Sequence, residues 1–187
     1  MSGVDTLEKG TMLVAQPFMG DPNFKRGVIL LCDNDKKEGT VGFVINKKTD
    51  LLVNDLISNF PEIESSVFLG GPVAQETLHY IHTVGDILDE SIPIAKGVSW
   101  GGDFEKLKFL IESKLVLPKD IRFFIGYSGW TEGQLAGEIR HGSWLTSEFF
   151  PNYIFGINNN ELWSKILSNK GDRYSVIAQI PEGETLN

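Results

Sequence analysis

The sequence predicts an α+β fold: a mixed, largely antiparallel sheet with helices packed around it. Three observations lead there. Strand-like runs outnumber helical ones. The connections between them vary in length and type. The regular βαβαβ alternation that a doubly wound sheet requires is missing.

The first strand is Thr11 to Ala15, stopped by Pro17, which cannot donate to a ladder. A turn-rich loop follows, from Phe18 through Asp21-Pro22 to Phe24. Gly27 to Cys32 is a continuous apolar run, as expected of a strand buried on both faces. The polar stretch Asp33 to Gly39 turns the chain back into Thr40 to Ile45, with Val41, Phe43 and Ile45 on one face. So short a connection makes these two strands a hairpin. Leu52 to Phe60 has a helical apolar face in Leu52, Leu56, Ile57 and Phe60, and Pro61 stops it. Val67 to Leu69 is a short strand leading into Gly70-Gly71-Pro72. Thr77 to Thr83 alternates as a strand, and Gly97 to Trp100 is a weaker one. Asp103 caps a helix whose stripe is Phe104, Leu107, Leu110 and Ile111. Ile121 to Tyr127 is the clearest strand, followed by an expected turn at Ser128-Gly129-Trp130. Thr131 to Gln134 carries the pattern of a capping box and opens a helix that stops at Gly142. A helix after Asn160 turns Leu162, Trp163, Ile166 and Leu167 inward, with Gly171 as its expected C-terminal cap. Tyr174 to Ile180 reads as a closing strand.

The chain has 187 residues, a length suited to one domain, and no repeat or linker divides it. Residues 1–8 and 181–187 read as loose ends. Seventeen Lys and Arg against twenty-five Asp and Glu give a net charge of −8. Nucleic-acid binding needs a basic face, so this balance argues against it. The densest basic spots, Lys36-Lys37 and Lys47-Lys48, have acidic neighbours in Asp33, Asp35, Glu38 and Asp50, and read as solvated turns. A single cysteine excludes an intramolecular disulfide and suits a reducing compartment. The first residues carry no secretory pattern, and no apolar run approaches the ~20 residues needed to span a bilayer. The expectation is a cytoplasmic protein with no membrane contact.

Candidate chemistry is sparse. His79 and His82 stand three apart on an expected strand, which puts them on opposite faces, and His141 is distant. No metal site or cofactor is expected. Gly126-Tyr127-Ser128-Gly129-Trp130 approaches a nucleophile elbow, but Trp130 stands where the small fifth residue belongs. The only later histidine, His141, lies at the far end of the helix this turn opens. Gly70-Gly71-Pro72-Val73 could cradle a phosphate or simply turn the chain, and no P-loop pattern is present. Cys32, beside Asp33, reads as buried filler, because a reactive thiol needs an electropositive setting. Trp130 fits equally a ligand-facing wall and a core position.

The motifs together resemble the AlgH/YqgE family. They include Lys9-Gly10, Pro17 through Asp21-Pro22-x-Phe24, the Val28 to Cys32 strand, Gly42-Phe43-Val44-Ile45-Asn46, Gly70-Gly71-Pro72-Val73 and the Leu78 to His82 strand. The strongest is Gly126-Tyr127-x-Gly129-Trp130-x-x-Gly133-Gln134-Leu135-x-x-Glu138, followed in order by Trp144 and Leu162-Trp163. The resemblance spans about Glu8 to Gly171. It implies a bifurcated sheet curled into a pseudo-barrel, and it brings a transcriptional-regulator label. The chain departs from the family pattern at Asn34 (usually His), Lys47-Lys48 (Arg-Pro), Ala136 (an acid) and Ser128 (Ala).

The resulting expectation is a non-enzymatic regulatory or ligand-binding protein with a small ligand or a protein partner. Its rivals are a direct DNA-binding regulator, a hydrolase using Ser128 or Glu138, and an adaptor anchored by Trp130 and Trp144. The candidate binding residues are Asp21, Phe24, Asn46, Gly70, Gly71, Pro72, Tyr127, Gly129, Trp130, Gln134 and Glu138. Their loops are expected to converge on one concavity with Asn46 near its edge.

Overall fold

The computed structural model describes residues 7–35, 38–156 and 158–182. Its strands are β1 (Thr11–Ala15), β2 (Val28–Asp35), β3 (Gly39–Val44), β4 (Lys48–Leu52), β5 (Ser66–Leu69), β6 (Val73–His82), β7 (Ile92–Ala95), β8 (Val98–Trp100), β9 (Ile121–Trp130) and β10 (Trp144–Glu148). Its helices are α1 (Val53–Leu56), α2 (Phe104–Glu112), α3 (Gln134–Arg140), α4 (Asn152–Phe155), α5 (Asn159–Ser168) and α6 (Asp172–Ala178). The strands form one sheet in the order β10-β1-β2-β3-β9-β6-β8-β7, with β4 and β5 off this path. The sheet curls into a half-barrel. Pairing is antiparallel except between β5 and β9.

The sheet forks on β9. The first half of β9 pairs with β5, matching Val67 to Phe123, and its last three residues pair with β3, matching Thr40 to Trp130. Gly70 sits in the fork. Its N–H donates to Ile125 O at 2.9 Å and its carbonyl accepts the Val44 N–H at 2.8 Å. Only glycine fits: a Cβ on Gly70 would lie 2.5 Å from Gly126 O, and one on Gly71 2.2 Å from the Tyr127 carbonyl.

Side-chain alternation loads both faces of the sheet. Met12, Val14, Leu30, Phe43 and Phe124 face one way, under Leu162, Trp163, Ile166 and Leu167 of α5. Leu13, Ala15, Ile29, Val44, Trp130 and Trp144 face the other, against Leu135 of α3. A third cluster packs Leu107, Leu110 and Ile111 of α2 on Tyr80 and Phe123. Asp103 caps α2 as expected, its carboxylate accepting the Lys106 N–H at 3.0 Å. Among the described residues, no helix is long and apolar enough to cross a membrane.

Several elements differ from the sequence reading. Leu52 to Phe60 is not a helix: Lys48–Leu52 is an edge strand on β5, and only Val53–Leu56 is helical. Leu52 and Leu56, expected inward, are about 40% exposed (43% and 42%), and Val53 is buried instead. Ser128-Gly129-Trp130 is not a turn. β3 supplies a ladder that keeps the strand going to Trp130. Tyr174 to Ile180 is not a strand, because α6 packs there against α5. Gly171 precedes α6, and Asn169 ends α5. β7, β10 and α4 had no reading. Most of the ends expected to be loose lie outside the described residues, as do Lys36 and Lys37.

Candidate functional site

Phe24, Trp130, Gln134 and Glu138 come together. Trp130 ends β9, Trp144 opens β10, and Glu138 lies on α3 between them in sequence. One carboxylate oxygen of Glu138 accepts both indole N–H groups, from Trp130 and Trp144, each at 2.9 Å. The other accepts from the Gln134 amide at 3.1 Å. Gln134 in turn accepts the Thr131 N–H at 3.0 Å within a turn ahead of the helix; the expected capping box is not formed, because α3 begins only at Gln134, with the left-handed Gly133 as its N-cap. Phe24 stacks on Trp130 at 6.4 Å and meets the edge of Trp144 at 5.5 Å. Trp130 is 5% exposed. The polar atoms of this cluster are paired to each other, with Trp130 buried inside it and Gln134 exposed at its rim.

The other candidates lie apart from it. Tyr127 is an odd number of residues from Trp130 and faces the opposite side of the sheet, with its ring 6.0 Å from His79. Gly70 and Gly71 are buried in the fork, and Pro72 and Gly129 are exposed. Asp21 caps its own turn by accepting the Asn23 N–H at 2.8 Å. Asn46 ties the β2 entry, accepting the Val28 N–H at 2.9 Å and donating to Arg26 O at 2.9 Å. The expected single concavity is therefore divided between two faces and the fork.

The two candidate nucleophiles, Ser128 and Cys32, are enclosed. Ser128 is fully buried, and its hydroxyl donates to Gly70 O at 3.1 Å. His141 is exposed at the far end of α3, its Nδ1 set against Gly137 O at 2.7 Å. The buried Cys32 thiol donates to Leu30 O at 3.6 Å, and burial, aided by Asp33, pushes its pKa far above the usual thiol range. Among the described residues, no group of three or more His, Cys, Asp or Glu could hold a metal ion.

The structure also shows a cleft that the sequence reading missed. It has a volume of about 240 Å³ and lies between β5, the start of β9 and α4–α5, walled by Lys48, Lys119, Arg122, Glu64, Ser66 and Asn159. The Arg122 guanidinium lies 4.0 Å from the Phe68 ring centre, and Nη1 donates to Ile45 O at 3.1 Å. Burial pulls its pKa down to about 10. The Asn159 Oδ1 atom is buried and meets no donor among the described residues. Asn159 also borders a second groove of about 200 Å³, lined by Lys25, Arg26, Asn46 and Lys47. Lys47 is half-buried rather than solvated; its ammonium donates to Lys25 O at 3.0 Å, and desolvation lowers its pKa. These basic residues come from three distant stretches and form no run in sequence. Pairing of Lys48 with Phe68, and of β5 with β9, brings the wall residues together.

Comparison with known proteins gives a consistent picture. A family model described as AlgH-like (DUF179) matches residues 12–175. A UPF0301 protein of Chlorobaculum tepidum is 38% identical over 183 residues, covering 98% of this chain and 97% of that protein. A UPF0301 protein of Cytophaga hutchinsonii is 38% identical over 182 residues, covering 97% and 100%. Among solved structures, a Corynebacterium diphtheriae protein superposes with a TM-score of 0.77 at 20% identity, over 94% of both chains. The AlgH protein of Pseudomonas aeruginosa superposes with a TM-score of 0.72 at 24% identity, over 94% of this chain and 95% of that one.

Proposed function

The chain belongs to the AlgH-like family, and from that premise we propose that it acts by binding a ligand rather than by catalysis, with a regulatory output. One observation carries this reading. The two side chains a hydrolase would use, Ser128 and Glu138, are engaged in hydrogen bonds within the fold, while the walls of the cleft keep polar groups with hydrogen-bonding capacity to spare among the described residues. Ser128 is buried on Gly70 O, and the Glu138 carboxylate is held by two indoles and an amide. Arg122, by contrast, has further N–H groups beside an open cleft, and the buried Oδ1 of Asn159, another residue of its wall, meets no donor among the described residues. A protein that binds without transforming its ligand acts through what binding changes for a partner, which is regulation.

The convergence of basic side chains favours a second reading, direct contact with nucleic acid. The net charge of −8 and the small size of the cleft weigh against it. Duplex readers cover a stripe of phosphates and place an element in a groove ~12 Å wide.

Both readings can be tested on the native chain. A fluorophosphonate probe is expected to leave Ser128 unlabelled, and fluorescence anisotropy with duplex DNA is expected to show only weak, salt-sensitive association. Labelling of Ser128 would replace the binding reading with a hydrolase. Salt-resistant DNA affinity near the ~10⁻⁸ M of specific binders would replace it with direct DNA recognition.

A further inference from the structure

We infer that the cleft around Arg122 is a site for a small phosphate monoester that also carries a hydroxyl group. The inference rests on the binding reading above and names the chemical class of the ligand.

The first argument is charge. The chain carries more acids than bases, yet the ion pairs among the described residues are Lys25–Glu182, Lys96–Glu148 and Lys108–Glu105. None of them involves Lys48, Lys119 or Arg122. Glu64 shares the wall but makes no ion pair with them. Withdrawing a guanidinium from water without a counter-ion is unfavourable, and an anion in the cleft relieves that cost. Three cations against one carboxylate match a dianion, and a phosphate monoester carries about −1.5 to −2 at pH 7. Arginine's planar fork suits two phosphate oxygens at once.

The second argument is hydrogen bonding. Turned toward the cleft that its residue lines, the buried Asn159 oxygen needs a donor, and the oxygens of a phosphate dianion cannot supply one. A hydroxyl on the body of the ligand can. Ser66 adds another polar wall group.

The third argument is size. About 240 Å³ is below the ~300–1,000 Å³ of drug-sized pockets. That space suits a phosphate on a short hydroxylated body. The acidic remainder of the surface repels polyanions and leaves this concavity as a local positive focus.

The test is an amide-resolved NMR titration of the full chain with glycerol 3-phosphate. Inorganic sulfate, glycerol and a short DNA duplex form the parallel arms. Glycerol 3-phosphate is expected to shift the amides of Ser66, Lys119 and Asn159, and glycerol to shift none of them. Sulfate is expected to bind more weakly. Lys48 and Lys119 are exposed, so Lys48→Gln with Lys119→Gln leaves the fold intact and is expected to weaken binding about tenfold. Asn159→Ala is expected to reduce the preference for glycerol 3-phosphate over sulfate. Arg122→Lys tests the fork while keeping the charge, and is expected to weaken binding as well.

An unperturbed cleft at millimolar glycerol 3-phosphate, in a protein that also resists the fluorophosphonate, sinks the phosphate ester and leaves the binding reading standing. Release of inorganic phosphate during the titration has the opposite meaning: the site and ligand class hold, and the non-catalytic reading fails. DNA shifting the same amides at lower concentration than glycerol 3-phosphate overturns the small-ligand class.

Discussion

His82 is fully buried, and its hydrogen bonds fix its protonation state. Nδ1 accepts the Val84 N–H at 3.2 Å, so the ring proton sits on Nε2, which donates to Gly101 O at 2.7 Å. Burial lowers the pKa of this imidazole, and the Gly101 carbonyl only partly opposes the shift. His79, packed among Phe43, Trp100 and Tyr127, is lowered by burial too. A depressed folded pKa means that the unfolded chain takes the proton first, near its ordinary value of ~6.5. This contribution is therefore complete above ~6.5 and is lost as pH falls below it toward the folded pKa. The urea midpoint is expected to drop between about pH 7.5 and about pH 5.5. His82→Leu should start lower, since it strands the Val84 N–H and leaves Gly101 O only the long Ser91 hydroxyl contact at 3.5 Å, but should show a flatter pH profile. Equal slopes in the two proteins would remove His82 from the account. The sequence showed that the two histidines point to opposite faces, because that follows from strand spacing alone. It did not show their burial, which depends on what the rest of the chain lays over them.

The Glu138 clamp is the clearest device linking elements. One oxygen joins β9 to β10 through two indoles, and the helix carrying it, α3, spans the chain between them. Charge-assisted hydrogen bonds are about twice as strong as neutral ones, and each stranded buried donor costs ~1–3 kcal/mol. Glu138→Ala is therefore expected to lose about 2–4 kcal/mol, and Glu138→Gln less, because its amide oxygen can still accept. Urea titration followed by tryptophan emission reads both. A loss below about 0.5 kcal/mol for the alanine variant would show that the clamp is not structural. Local signals made part of this region legible: the Thr131 to Gln134 pattern lay within three residues of the helix start, although Gly133 and not Thr131 is the cap, and Gly142 marked its end. The strand character of Ser128 to Trp130 was hidden because serine and glycine favour turns, and only the distant β3 overrides that preference. A different reason hid β4: its edge position leaves Leu52 exposed, and Leu52 with Leu56, Ile57 and Phe60 has the spacing of a helical stripe. Of the candidate site, the local group Trp130, Gln134 and Glu138 was legible. The Arg122 cleft was not, since Lys48, Lys119 and Asn159 meet there through the pairing of β4 with β5 and of β5 with β9 and through the placement of α5.

At the scale of the whole molecule, β9 decides how the chain unfolds. The fork suggests two wings, one built on α2 and one on α3, α5 and α6, and wings can melt separately. The side chains of β9 argue otherwise. Ile121 and Phe123 belong to the cluster under α2, Phe124 to the cluster under α5, and Trp130 to the cluster under α3. The cluster under α5 also takes Phe68 and Ile81 from one branch and Phe43 and Ile45 from the other. Neither wing can open without stripping β9 from the rest. One cooperative transition is therefore expected, with tryptophan emission and far-UV circular dichroism giving coincident midpoints. Trp100, Trp130, Trp144 and Trp163 sample β8, the α3 side and the α5 side, so emission cannot follow one wing alone. Phe124→Ala removes a fully buried ring at the shared position and is expected to cost about 3–5 kcal/mol. Both probes should shift together by that amount. If the midpoints separate in the native chain, or if Phe124→Ala moves only one of them, the wings unfold independently, and the reading of 1–187 as one domain gives way to two.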